Sequence, residues 1–229
     1  MIKFFKRTMV LMNQTNMQSL LYFVKDSTKH FDSSHNHEHA ELVYSNTMKI
    51  MDSLYKSRDE YDEELITYAS LLHDVRDHKY PESITEEEMH KFLIDQVGED
   101  KTKQVLQIIE NVSWSKEDKL RKSQGLNFNP DFPQELQTYL TALRDADRLE
   151  AIGQIGIERC VQFNISHGYK YPEDVIQHCH DKLLRIYTEK FIETEMGRKL
   201  AEPLHQEIVD FVKMCESGNV PDASVYLKN

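Results

Sequence analysis

The sequence predicts an all-α protein, a single-domain helical bundle. Three observations carry this prediction. Turn formers are scarce, with seven Gly and six Pro in 229 residues, while the abundant Leu, Glu, Lys and Met favour helices. Apolar residues recur at helical spacing along most of the chain. Alternating stretches of β-branched residues are nearly absent.

A first helix is expected from Asn16 to Lys29, and a second from about Asn36 to Lys56 on the period of Ala40, Val43, Thr47, Ile50, Met51 and Leu54. The third opens on Asp62 and Glu63, acids that suit a helix N-terminus. It carries Leu65, Ala69 and Leu72 on one stripe, reaches the pair His73-Asp74 and stops before Pro81. Thr85 and Glu88 form a capping box for a fourth helix. Gly98 ends that helix, and Lys101 to Val112 makes a fifth. Residues 115–132, with Gly125, Pro130 and the flanking Pro133, have the chemistry of an exposed loop. A long helix then runs from Pro133 to about Phe163, followed by helices from Pro172 to Lys190 and from Thr194 to Cys215. Residues 1–229 read as one domain, with helices of 172–216 packing on a core of about 28–165.

A net charge of −11 disfavours nucleic acid and anionic membranes as partners. An anionic small molecule remains compatible, because a metal ion with a few local cations can reverse the potential of one cleft. The three cysteines have no CxxC spacing and read as reduced thiols of a cytoplasmic protein. Lys3, Lys6 and Arg7, with no early acid, leave a mitochondrial presequence as the alternative. No stretch is long enough to span a membrane. The oligomeric expectation is a monomer or homodimer.

His73-Asp74 places an imidazole and a carboxylate side by side at the end of an apolar stripe, where polar groups need partners. The dipeptide alone is weak, since eleven His among seventeen Asp supply about one pair by chance. A second pair, His180-Asp181, lies on a more polar helix and is set aside. His39 and Asp147 sit on two other predicted helices with apolar neighbours, so facing helices can bring all four residues together. Two imidazoles and two carboxylates suit one divalent ion: Mn, Fe, Co, Ni, Zn or Mg. Such an ion polarises a phosphoryl oxygen and lowers the pKa of a nearby water.

The segments HNHEH, LLHDVRDHK and DADRLEAIGQIGIER, with NVSWSKE between the last two, resemble the HD-domain metal-dependent phosphohydrolases. The likeness is to the small single-domain branch that includes (deoxy)nucleoside triphosphate pyrophosphohydrolases, and it runs from roughly Thr28 to Phe211. It implies His39, His73, Asp74 and Asp147 as metal ligands, with Asp145 beside the site rather than in it. It also implies conversion of a (d)NTP to a (d)NMP and pyrophosphate. A nucleoside monophosphate phosphatase and a cyclic-nucleotide phosphodiesterase are the enzymatic alternatives, and a non-catalytic metal or nucleotide sensor is the alternative of another class.

The chain departs from its relatives at Asn36, His37 and Leu42, where Asp, an aromatic residue and Arg are common. In another branch a catalytic Glu follows the metal-binding aspartate by three residues; here that position is Asp77, a candidate acid/base alongside Asp74. Lys79, Arg148 and Lys182 are the candidate substrate contacts, with Arg185 beside them, because a polyphosphate needs cations. Trp114 and Phe128 are possible stacking partners for a base. His30, His35 and His37 read as a His-rich helix entrance rather than a second metal site. Gly153 and Gly156 have no preceding strand, so they read as helix-packing positions and not a nucleotide loop.

Overall fold

Asn36 starts the segment that organises the molecule. Its side chain accepts the N–H groups of Glu38 (3.0 Å) and His39 (3.2 Å), which caps α2 (His37–Leu54). The predicted positions Ala40, Val43, Thr47, Ile50 and Met51 are buried along this helix, while Leu54 is exposed. In this computed structural model, residues 14–32, 35–77 and 80–227 are described.

Helix α1 (Gln14–Ser27) packs on α2 and on α3 (Glu63–Leu72). Every residue of α3 from Leu65 to Leu72 is buried; a helix apolar on all sides belongs in the interior. It lies against α2, α4 and α6. Helix α3 ends one residue before His73, so the His-Asp pair sits in the turn that leaves the helix, not on the helix as expected from sequence.

Helix α4 (Glu86–Glu110) opens on the expected Thr85/Glu88 capping box. Its path breaks at Gly98, which adopts φ 77° and ψ 170°, at the break read from sequence. The expected loop of 115–132 is corrected: Trp114–Gln124 forms α5, begun by Ser113 and closed by Gly125 at φ 69°. Charged residues occupy most of this helix, and its buried position is Glu117, so hydrophobic periodicity had nothing to report.

The single long helix expected from Pro133 is also corrected. A 3-10 turn, Gln134–Leu136, leads into α6 (Gln137–Leu149), and a break at 150–152 precedes α7 (Gly153–Ser166). Ile152 is extended and Gly153 adopts φ 74°, a conformation that glycine reaches without steric cost. Gly153 therefore begins a helix instead of lying within one. The expected close packing is present: a Cβ on Gly153 would meet Glu207 Oε2 and Leu204 Cδ2 at 2.9 Å. Helix α8 (Glu173–His178) passes through a wider π turn (Cys179–Leu183) into α9 (Leu184–Thr188), and α10 (Glu195–Glu216) packs on α6, α7 and α9. One hydrophobic core unites these elements, and no strand occurs among the described residues. All three cysteines are buried and unpaired. Among the described residues, no helix is long and apolar enough to cross a membrane.

Candidate metal centre

Three elements deliver four side chains to one point. His39 comes from the capped first turn of α2, His73 and Asp74 from the turn after α3, and Asp147 from the last turn of α6. One ligand atom from each lies within 4.8 Å of all the others, and among the described residues this is the one such group. His39 Nε2 stands 3.6 Å from both Asp74 Oδ2 and Asp147 Oδ1. His73 Nε2 stands 3.4 Å from Asp74 Oδ2 and 3.7 Å from Asp147 Oδ1.

These separations exceed normal hydrogen-bond lengths, and the buried His73 Nε2 has no hydrogen-bond partner. They fit donors sharing an ion at about 2.0–2.2 Å, which stand roughly 3–3.6 Å apart. The other ring nitrogen, His73 Nδ1, lies 2.7 Å from the Ser70 carbonyl oxygen. A carbonyl only accepts, so Nδ1 carries the proton, and in the neutral ring Nε2 faces the cluster as a lone pair. The imidazoles form the floor: the His73 side chain is fully buried and that of His39 nearly so. The carboxylates form the mouth, with Asp74 33% and Asp147 26% exposed. The donor set therefore fits a divalent cation.

Burial opposes charge on His39, but the nearby carboxylates of Asp147 and Asp74, each at 3.6 Å, outweigh it and raise the pKa. His73 behaves alike and is raised further, with the charge of Asp74 the main opposing influence to burial. Asp74 and Asp147 are held below the usual carboxylate range, because the two histidines overcome the burial penalty. Without a cation, the carboxylates favour protonated imidazoles and the imidazoles favour ionised carboxylates.

The remaining expected residues separate into distinct places. Asp145 is fully buried and accepts from the N–H groups of Glu193 (2.9 Å) and Thr194 (2.8 Å) and the Thr194 hydroxyl (2.6 Å), fixing the entry to α10. Burial pushes its carboxyl up to about 6 against those hydrogen bonds. Asp77 is half-buried, and its N–H donates to Ser83 Oγ at 3.0 Å. Because α3 ends at Leu72, Asp77 is not one helical turn beyond Asp74 as its spacing suggested. Lys79 lies outside the described residues.

Arg148 is corrected. It is 2% exposed, donates to the Phe191 carbonyl and pairs with Glu117 at 2.5 Å, so its guanidinium is committed inside the fold rather than offered to a substrate. Lys182 Nζ lies 5.5 Å from the centre of the Trp114 ring, which packs on Phe191. Arg185 pairs with Asp118 and Glu189. Phe128 stacks on Phe132 and lies under Arg144. His35 meets Asp32 (3.3 Å) and the Tyr80 hydroxyl (3.1 Å), and His30 is exposed. His180 is exposed beside Glu216 and Asp181 is exposed too, so the second His-Asp pair holds no cluster.

Sequence reasoning passed over two features. Glu117 binds three guanidiniums from a segment read as a loop. Arg159, inside the quoted DADRLEAIGQIGIER block, donates Nη1 to the Glu150 carbonyl at 2.9 Å, one turn beyond Asp147. The spacing of that block was the available signal for Arg159, and the quoted segment NVSWSKE, which ends at Glu117, was the signal for Glu117.

No family model matches the chain. The uncharacterized protein YpgQ of Bacillus subtilis (strain 168) is 29% identical over 165 residues, covering 69% of this chain and 74% of that protein. The crystal structure of B. subtilis YpgQ in complex with ADP superimposes with a TM-score of 0.64 at 23% identity, covering 90% of this chain and 98% of that one. A Lactobacillus plantarum protein gives a TM-score of 0.70 at 21% identity, covering 91% and 98%. An HD-superfamily hydrolase from Bacillus thuringiensis gives 0.63 at 24% identity, covering 90% and 97%. The chain shares the fold of these proteins, one of which is an HD-superfamily hydrolase. At its centre stands the His, His-Asp and Asp cluster anticipated from the sequence.

Proposed function

We propose that this chain is a metal-dependent phosphohydrolase that acts on nucleotides, with conversion of a (d)NTP to a (d)NMP and pyrophosphate as its favoured reaction. The single observation that carries the proposal is the convergence of His39, His73, Asp74 and Asp147 within 4.8 Å, with the carboxylates facing outward. A divalent cation there, with Mn²⁺ the proposed first choice, would polarise a phosphoryl oxygen and acidify a water. Support for a nucleotide comes from ADP, the ligand bound to YpgQ in a structure of this fold.

In the proposed reaction, water oxygen bonds to the α-phosphorus, the bond from α-phosphorus to the bridging oxygen breaks, and pyrophosphate leaves. The floor residues hold position: the Ser70 carbonyl orients His73, and the Asn36 cap orients the turn bearing His39. Asp77 is the proposed acceptor of the water proton, and Lys79 a proposed phosphate contact. The cytoplasm is the proposed location, supported by three unpaired buried cysteines.

Purified protein incubated with Mn²⁺ and a panel of nucleoside mono-, di-, tri- and cyclic phosphates tests the reading. Pyrophosphate from a (d)NTP, absent with His73→Ala, is the expected result. Orthophosphate from monophosphates, or opening of a cyclic nucleotide, would move the activity to one of the alternative substrates. Metal and nucleotide binding without turnover would make the protein a sensor and end the enzymatic reading.

A further inference from the structure

Two packed helices, α2 and α6, each supply one member of the cluster: His39 from the first turn of α2 and Asp147 from the last turn of α6. Val43 and Ile50 of α2 and Leu143 and Ala146 of α6 belong to the same buried core. Apolar burial is non-directional, so it holds the helices together without choosing how far one slides along the other. A slip of one residue moves a side chain about 1.5 Å along its helix, enough to spoil the 3.6 Å separation of His39 Nε2 and Asp147 Oδ1. Within the cluster the separations exceed hydrogen-bond lengths, so the four side chains do not themselves fix that slide before an ion arrives.

A directional contact joins the same two elements. Asn46 Nδ2 donates to Glu150 Oε1 at 2.9 Å in a partly buried position. Asn46 follows His39 by seven residues, which is two turns, so both lie on one face of α2. Glu150 follows Asp147 by three residues, and its N–H donates to the Asp147 carbonyl at 3.1 Å. Both partners are oriented. Lys49 Nζ donates to Asn46 Oδ1 at 3.2 Å, which turns the amide nitrogen toward Glu150. Arg159 Nη1 donates to the Glu150 carbonyl at 2.9 Å and steadies the turn that follows α6.

We propose that Asn46 and Glu150 are positioning residues for the metal centre: their hydrogen bond sets the placement of α2 along α6, and thereby the separation of His39 Nε2 from Asp147 Oδ1. This assignment rests on the metal-dependent reading above. Position 150 serves here as a hydrogen-bond acceptor and not as a charge.

The test is calorimetric titration with Mn²⁺ of wild type, Asn46→Leu, Glu150→Ala, Glu150→Gln and the Asn46→Leu/Glu150→Ala double variant. The visible spectrum of each protein loaded with Co²⁺, which suits the same donors, reports the geometry of the site. Asn46→Leu and Glu150→Ala are each expected to bind Mn²⁺ about 10-fold more weakly, with an altered Co²⁺ spectrum. The double variant is expected to be no weaker than either single one, since all three lose the same contact. Glu150→Gln keeps an acceptor for Asn46 and is expected to stay within about threefold of wild type. Glu150→Gln as weak as Glu150→Ala overturns the assignment, because Glu150 would then act on the ion through its charge. Additive losses in the double variant overturn it too. So does weaker binding that tracks thermal stability while the Co²⁺ spectrum stays unchanged, because the contact would then only hold the fold. Wild type that binds Mn²⁺ with every variant equal to it defeats this assignment alone. Wild type that binds no divalent ion defeats the metal-dependent reading itself.

Discussion

His73 is locked by the residue three positions before it. Its Nδ1 donates to the Ser70 carbonyl oxygen at 2.7 Å, which aims Nε2 at Asp74 and Asp147. The acceptor is backbone in the last turn of α3, and that helix is buried from Leu65 onward, so the ring's orientation is set by the core. A ligand held this way contributes its full geometry to binding. His73→Ala is therefore expected to lower Mn²⁺ affinity by at least about 100-fold while keeping the helical circular dichroism. Elemental analysis after gel filtration reads the result. Metal retained at wild-type stoichiometry would remove His73 from the ligand set.

Proton exchange gives a second prediction. His39 and His73 have raised pKa values and Asp74 and Asp147 lowered ones. In metal-free protein the raised histidines contribute stability fully below their ordinary value of 6.5, lost as pH rises through the raised values. The carboxylates contribute above their ordinary value of 3.8, lost as pH falls through the lowered ones. Ligation needs neutral imidazoles, so a cation expels the protons it replaces. Mn²⁺ binding is expected to release up to roughly two protons per ion, with affinity still climbing above pH 6.5. Titrations in buffers of different ionisation enthalpy measure the release. Affinity flat from about pH 6 to 9 would contradict the coupling.

The four cluster residues were legible because each stood beside a pattern that fixed its surroundings. Leu65, Ala69 and Leu72 marked a buried helix ahead of His73, and Ala40, Val43 and Thr47 marked the inward face that follows His39. Their meeting was not legible from periodicity, which fixes faces and not partners; the DADRLEAIG block supplied that link by resemblance. The Pro133–Phe163 reading failed at Gly153, because apolar spacing continues through 150–152 while the backbone turns. Arg148 misled for a related reason. Adjacent helical residues point about 100° apart, so Asp147 faces the cluster while Arg148 enters the interior toward Glu117 of α5.

That interior carries the third prediction. The Glu117 side chain is fully buried and takes Arg121 and Arg148 at 2.5 Å and Arg144 at 3.0 Å, tying α5 to α6. Burial already depresses Arg144 to about 10, with Glu117 opposing the shift. Replacing the carboxylate by an amide leaves three guanidiniums around a neutral group. Glu117→Gln is expected to cost about 3–5 kcal/mol in urea denaturation, the scale of a broken buried pair. A loss under about 1 kcal/mol would mean that solvent screens the guanidiniums or that Glu193, 2.8 Å from Arg121, supplies the balancing charge.

Two glycines separate backbone strain from packing. Gly98 and Gly153 adopt nearly the same left-handed φ, 77° and 74°, but a Cβ at Gly98 meets nothing within 4 Å. At Gly153 it meets Leu204 Cβ at 3.1 Å as well as Leu204 Cδ2 and Glu207 Oε2 at 2.9 Å. The Glu207 carboxylate cannot simply swing away, since it accepts the Gln154 N–H at 2.7 Å and so holds the first turn of α7. Gly98→Ala is expected to cost about 1–3 kcal/mol, the backbone cost alone at φ 77° and ψ 170°. Gly153→Ala adds displacement of α10 from α7 and is expected to reach roughly 2–4 kcal/mol. Denaturant midpoints of the two variants measured side by side give the difference directly. Equal losses would show that the α7–α10 contact yields freely, and that the turn between Asp147 and Arg159 is held by backbone geometry instead of by the helix packed behind it.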